Sequence, residues 1–453
     1  MRSFLDLADY NSVVKKKCYI ITAMSLDFQD PQFMPVTRDL SSGKTKMVLK
    51  WLDLEKPEFG FTHAEQLTKL HLIDLLQTAL QLEHSTIPVY LNGFLSIKPF
   101  QNQEVKEMIH QIIVDEMFHF AQVANIINGL GGRPYLLGKT FVPAFPSHLP
   151  GGCRPDMIAS INKISNQQIN NVYMEIEEPS YVLKDHELVA LINKISKANL
   201  QLSTESSEGG GDYQGQCAEA LGFFPLPNRK LTEKNHETIG DLYMAVVYIL
   251  GQLSICGQKD IFTGKTRQLK WSNPKNLREV RTYKDALEAI KAIVDQGEGA
   301  SPYNPLQQNV DSSELSHYFK FSSIYHGRHI TTFNVTNEKV YDNNEEECHE
   351  NYVYLGDKIP FFETGVWPVV KDPQMSKYKP DSQAYKNAQA FNDIYRRLLE
   401  TLQSVFDGNV DRFDDTFGLM KSLIVYGSRV VQTPIEDDGD PNIGPNAGPT
   451  YFN

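Results

Sequence analysis

The sequence predicts a mainly α-helical protein built on a four-helix bundle, with long inserts and an irregular and helical C-terminal extension. Three observations predict it. Apolar residues recur at three- and four-residue spacing in several long segments, the period of a helix with one buried face. Two Glu-x-x-His pairs, Glu116-Met117-Phe118-His119 and Glu314-Leu315-Ser316-His317, stand nearly two hundred residues apart. Both pairs fall on apolar stripes rather than opposite them, so the bundle interior is where they point.

The elements follow in chain order. Residues 1–62 mix short apolar runs with Pro and Gly and read as an arm with short strands. The bundle occupies 63–330. Its first helix spans about 64–87, on the stripe Leu76, Leu80, Glu83, Ile87, Tyr90. Pro88 lacks the N–H that would bond the carbonyl of His84, so a kink or a stop is expected there. The second helix spans about 103–128, with Ile109, Ile112, Glu116, His119 and Val123 on one stripe. Gly129, Gly131, Gly132 and Pro134 end it. An insert follows at 134–235. Its first part, to about 180, is rich in Pro and Gly and reads as loop. A short helix is expected near 185–200, and 203–213 is low in complexity. The third helix spans about 238–254. A second insert, 257–310, contains a helix near 283–296. The fourth helix starts near Ser312, with Ser313 as its cap, and runs past Ile324. Residues 331–453 form a C-terminal extension that packs on the bundle. It carries strands and loops to about Pro380, helices at 384–406 and 413–431, and a non-helical tail from Pro434.

Composition narrows the partners. The chain has 453 residues, 41% hydrophobic and 22% charged, with a formal net charge of −12. Such an acidic balance argues against nucleic acid or an anionic membrane as partner. No apolar run approaches the roughly 20 residues of a transmembrane helix. Nor does the N-terminus carry a signal-peptide core. The five cysteines are odd in number and scattered, which suits reduced thiols in the cytoplasm. Without Cys-x-x-Cys spacing, any metal would be held by His and carboxylates.

A buried carboxylate costs several kcal/mol unless it is paired or bound to a metal. Glu83, Glu116, His119, Glu314 and His317 could compensate one another by holding two divalent ions, as acid and Glu-x-x-His helices do in di-metal bundles. Imidazole with carboxylate suits two iron ions, with manganese or zinc as alternatives. The third helix should add an acid. Asp241, on the side of Ala245 and Ile249, is preferred over Glu237. A buried hydrogen-bonded network without metal is the competing reading.

Other residues stand close to this set. His84 points about 100° from Glu83 around the helix, which suits a supporting or surface position. Asp115 is one step off the stripe and reads as solvated. Glu177, in Tyr173-Met174-Glu175-Ile176-Glu177-Glu178-Pro179, reads as an exposed acidic strand, with entry into the site as the alternative. Tyr243 and Tyr318 read as packed tyrosines, or as redox-active neighbours of the metals. His326 and His329 read as surface or core residues.

The segments Thr78–Leu91, Asp115–His119, Gly131-Gly132-Arg133-Pro134, Ile176–Pro179, Thr238–Tyr243, Gln296-Gly297-Glu298-Gly299 and Ser316-His317-Tyr318 together resemble a known family. It is the ferritin-like domain of the iminophenyl-pyruvate dimer synthase type, found in violacein and bisindole biosynthesis. The ending Asn446–Phe452 is similar as well. The resemblance implies a ferritin-like bundle and oxidative coupling of amino-acid-derived imines in secondary metabolism. It also makes Glu298 a rival to Glu314. Where the family usually shows Glu in an Ile-Gly-Glu motif, this chain has Asp241.

The expected function is therefore a di-iron oxidoreductase acting with dioxygen on a small organic molecule. Ferroxidase or iron handling is an alternative, although the long inserts would obstruct cage contacts. A metal-free binding module is the other. A homo-oligomer is compatible with any of these.

Overall fold

The computed structural model describes residues 69–138, 140–178, 238–251, 253–254, 260–264, 266–271, 277–297, 314–334 and 350–452. The arm at 1–62, the helix expected near 185–200, the loop at 203–213, Glu237, Glu298 and Ser313 lie outside the described residues.

Helix α1 (Lys69–Ser96) continues past Pro88. A lost hydrogen bond and a ring clash cost about 3 kcal/mol or more. Packing outweighs that loss here, because Val89 and Tyr90 beyond the proline are as buried as Leu76 and Leu80 before it. The expected stop at Ile87 is therefore corrected. Helix α2 (Gln103–Gly129) follows a short turn in which Phe100 and Asn102 take positive φ. It packs along α1, and the two form the main wall of the core.

The first insert contains an element that the sequence reading treats as loop or strand. Residues 166–176, here α3, are helical in three registers: α over Asn166–Gln168, π over Ile169–Tyr173 and α over Met174–Ile176. Ser165 caps the start by accepting from Gln168 N. Few apolar positions fit so short a helix, so its period is hard to read. Gly93 on α1 lets it approach: a Cβ there would lie 2.1 Å from the Tyr173 hydroxyl oxygen, which donates to Val89 O at 3.2 Å. This contact fixes the end of α3 beside the last two turns of α1.

Helix α4 (Ile239–Gly251) packs on α1, and α5 (Tyr283–Gly297) packs on α4 and α2. Helix α5 was expected inside an insert, yet it also touches α6 and joins the wall around the core. Helix α6 (His317–His326) starts later than expected, with Ser316 at its N-cap position and Gly327 in positive φ at its end. It leans on α2, α3 and α5. A small antiparallel pair, β1 (Thr331–Asn334) and β2 (Glu350–Val353), follows with Thr331 opposite Val353.

Helices α7 (Gln383–Phe406) and α8 (Phe413–Val431) form a hairpin. It lies against α1 and α2. Ser382 caps α7 by accepting from Tyr385 N. The non-helical tail then packs back: Tyr451 is buried and its hydroxyl donates to Pro88 O at 3.3 Å. Buried apolar residues from α1 to the tail form one continuous core.

Candidate metal centre

The ionisable groups of α1, α2, α3 and α6 converge inside the bundle. Glu83, Glu116 and His119 offer ligand atoms that all lie within 4.8 Å of one another. Glu116, Glu177 and His317 do the same. The five residues are each at most 4% exposed. Glu116 belongs to both groups and joins them. The His119 and His317 rings stack with centroids 5.4 Å apart.

Each histidine is oriented from behind. His119 Nε2 lies 2.9 Å from Gln296 Oε1, and His317 Nε2 lies 3.3 Å from Asp115 Oδ2. With those nitrogens donating to oxygen, each Nδ1 keeps its lone pair and turns it toward carboxylates. His119 Nδ1 is 3.4 Å from Glu83 Oε2 and 3.9 Å from Glu116 Oε1. His317 Nδ1 is 2.8 Å from Glu116 Oε1 and 3.7 Å from Glu177 Oε2. The approach of His317 Nδ1 to Glu116 does not have hydrogen-bonding geometry.

A lone pair facing carboxylates is repulsive unless a cation intervenes. In the metal-free protein that cation is a proton. Burial opposes charge on His317, but the neighbouring carboxylates of Asp115, Glu116 and Glu177 outweigh burial and hold its pKa well above the ordinary value. His119 is raised in the same way, with burial overcome by the Glu83 hydrogen bond and the Glu116 charge. Burial, then the Glu177 carboxylate, push Glu116 up to about 7 against the pull of both histidines. The donor set therefore fits divalent cations well: hard carboxylates, imidazole lone pairs aimed among them, and outer partners that fix each ring.

The carboxylates are held too. Thr86 Oγ1 donates to Glu116 Oε2 at 2.8 Å, and Tyr90 donates to Glu177 Oε1 at 2.5 Å. Tyr243 on α4 donates to Glu83 through a short hydrogen bond. Glu178 is drawn aside by Arg154, which leaves Glu177 as the acid that enters.

Of the six ligands expected from sequence, the structure brings Glu83, Glu116, His119 and His317 together. It does not bring Asp241 or Glu314 into either group. Asp241 sits in the first turn of α4, where Thr238 N donates to its Oδ2 and its own N–H bonds Thr238 Oγ1, each at 3.1 Å. That is a capping box, and it ties the carboxylate to the helix end. Glu314 precedes α6 rather than riding on it, and its side chain is 37% exposed. Its Oε2 lies 3.3 Å from Lys320 Nζ, which is itself 3.8 Å from Asp115 Oδ2. Glu314 thus stands three contacts behind His317, through Lys320 and Asp115.

Two other placements, Glu177 and Asp115, differ from expectation. Glu177 is buried in the cluster, not exposed on a strand. Asp115 is fully buried, not solvated. His84 is buried away from the cluster, against Phe141 and Tyr395. Tyr318 packs edge-on to Phe319 in a small satellite core. His326 stacks on Tyr354, and His329 pairs with Glu104 at 2.6 Å. Gln296, Thr86 and Tyr90 were not singled out as site residues. Tyr90 did lie on the Glu83 stripe, and Gln296 did open the Gln-Gly-Glu-Gly motif.

Four converging helical elements and a shared carboxylate define the class. A family model described as ferritin-like matches residues 76–326, more than half of the sequence, and the chain belongs to that family. Among solved structures, a ferritin-like protein from Caulobacter vibrioides is similar at 18% identity and a TM-score of 0.46. The match covers 80% of this chain and 96% of that one. No curated protein matches. The fold is a mainly helical, ferritin-like bundle, compatible with a di-iron protein. Among the described residues, no helix is long and apolar enough to cross a membrane.

Proposed function

We propose that this chain is a di-metal oxidoreductase, with two iron ions as its cofactor and a small organic molecule as its substrate. One observation carries the reading. Two buried three-ligand groups share Glu116, and both histidines turn an Nδ1 lone pair toward the carboxylates. Glu83, Glu116 and His119 would hold one ion, and Glu116, Glu177 and His317 the other. Bound there, iron supplies the one-electron steps of an oxidation.

The chain's own residues do the rest. Gln296 and Asp115 fix the two imidazoles, so the ligands need little reorganisation on loading. Tyr90, Tyr243 and Thr86 each donate to a carboxylate and set which oxygen is left free. The depth of the cluster excludes bulk water, which strengthens every charge interaction in it. An amino-acid-derived imine is the substrate class that the family resemblance implies, and dioxygen is the matching oxidant.

Anaerobic reconstitution with ferrous iron, followed by metal counting, tests the site. About two ions per chain are expected, and their loss in Glu116→Ala. Dioxygen uptake that depends on an added amine or imine supports the oxidoreductase. Rapid ferrous oxidation that no organic substrate alters would support iron handling in its place, and absence of bound metal would remove both.

A further inference from the structure

A second cavity lies on the other side of α1 and α2 from the metal ligands. It occupies about 240 Å³ between these helices and the α7–α8 hairpin. Glu83 and His84 are consecutive and diverge by about 100° around α1. Glu83 faces the cluster and His84 lines this cavity. On α2, Glu116 and His119 face the cluster, while Met117 and Phe120 line the cavity.

The walls are almost wholly apolar. Among the lining residues only His84, His110, Tyr395 and Lys421 carry a polar side-chain group. His110 and Lys421 are exposed; His84 and Tyr395 are buried. The inner wall therefore holds one polar feature, the 2.7 Å contact between Tyr395 Oη and His84 Nε2. The His84 ring is itself buried. Its Nδ1 is buried without a hydrogen-bond partner. A native interior seldom leaves such an atom unmet, because the omission costs about 1–3 kcal/mol. Half-buried Met117, Phe118, Phe417 and Met420 line the same cavity.

We infer that this cavity binds a small apolar molecule, one or two rings in size, whose single hydroxyl or N–H group hydrogen-bonds the His84 imidazole. The volume supports the size: an engineered apolar cavity of about 150 Å³ accepts benzene. The metal ligands are not part of this site, so binding does not require metal.

The test uses the full chain, freed of metal by chelation, with 2-naphthol and naphthalene as fluorescent probes. Both should bind saturably. One hydrogen bond is worth about fivefold in affinity. The affinity ratio of 2-naphthol to naphthalene should therefore fall about fivefold in His84→Leu, while naphthalene binding persists. Met420→Trp, on α8 and not a partner in the His84–Tyr395 contact, should block both probes. It also keeps the test decisive if His84→Leu fails to fold. An unchanged ratio in folded His84→Leu, binding that survives Met420→Trp, or no saturable binding of either probe would overturn the inference.

Discussion

Glu116→Gln separates a shared ligand from a private one. The amide keeps the size of the side chain and can still accept from Thr86, whose hydroxyl donates to Glu116 Oε2 at 2.8 Å. It removes the charge common to both ligand groups. Losing an outer partner of a metal ligand typically costs 10–100-fold in metal affinity, so losing a charged ligand should cost at least about 100-fold at each position. Metal content after anaerobic ferrous loading and desalting should fall from about two per chain to near zero. Glu83→Gln and Glu177→Gln should each leave about one. Stability supplies a second reading. A ligand at 100 times its dissociation constant stabilises by about 2.7 kcal/mol per site, hence about 5 kcal/mol for two. Ferrous iron should therefore raise the melting temperature of the wild type by several degrees and leave Glu116→Gln unmoved. Without metal the sign reverses. Glu116 is raised to about 7, chiefly by burial, so ionising it above that pH destabilises the fold. The metal-free variant should then be no less stable than metal-free wild type at pH 8. Retention of two ions by Glu116→Gln, or a loss no greater than that of Glu83→Gln, would refute the reasoning.

Three further outcomes are expected. Glu116 has a folded pKa above its unfolded value, so its contribution to metal-free stability is present at acid pH and lost as pH rises from about 4.5 to 7. His317, also raised, contributes below about 6.5 and loses that contribution as pH rises through its folded value. The metal-free melting temperature should therefore fall between pH 5 and 8 while the gain from iron grows; a gain that scanning calorimetry finds independent of pH would mean that protons and metal do not compete. Tyr90→Phe removes the donor to Glu177 and should weaken one ion by about 10–100-fold in titrations while sparing the other; equal weakening of both would count against the division into two groups. Asp241→Ala should cost about 1 kcal/mol by chemical denaturation, the value of a helix cap, and leave metal content unchanged.

Much of the fold was legible because long amphipathic helices announce themselves. The helices at 103–129 and 413–431 fall where the apolar period put them, and 283–297 does as well. Their place in space was less legible, since period says which face is buried and not against what. Helix α5 therefore read as part of an insert, although its last turn brings Gln296 to His119. Within the site, Glu83, Glu116, His119 and His317 were readable from stripe and spacing. Glu314 misled because an i, i+3 spacing means a shared face only inside a helix, and α6 begins at His317. Asp241 misled because a first-turn acid serves a cap as readily as a metal. Glu177 was hidden by its setting: the short α3 includes a π turn, so neither strand alternation nor the α period places its side chain.

Crystals soaked anaerobically in ferrous iron, with an anomalous difference map at the iron edge, test the central claim most directly. Two peaks are predicted, one among Glu83, Glu116 and His119 and one among Glu116, Glu177 and His317. A fully loaded crystal with its iron at Asp241 or Glu314, or with no peak touching Glu116, would contradict it.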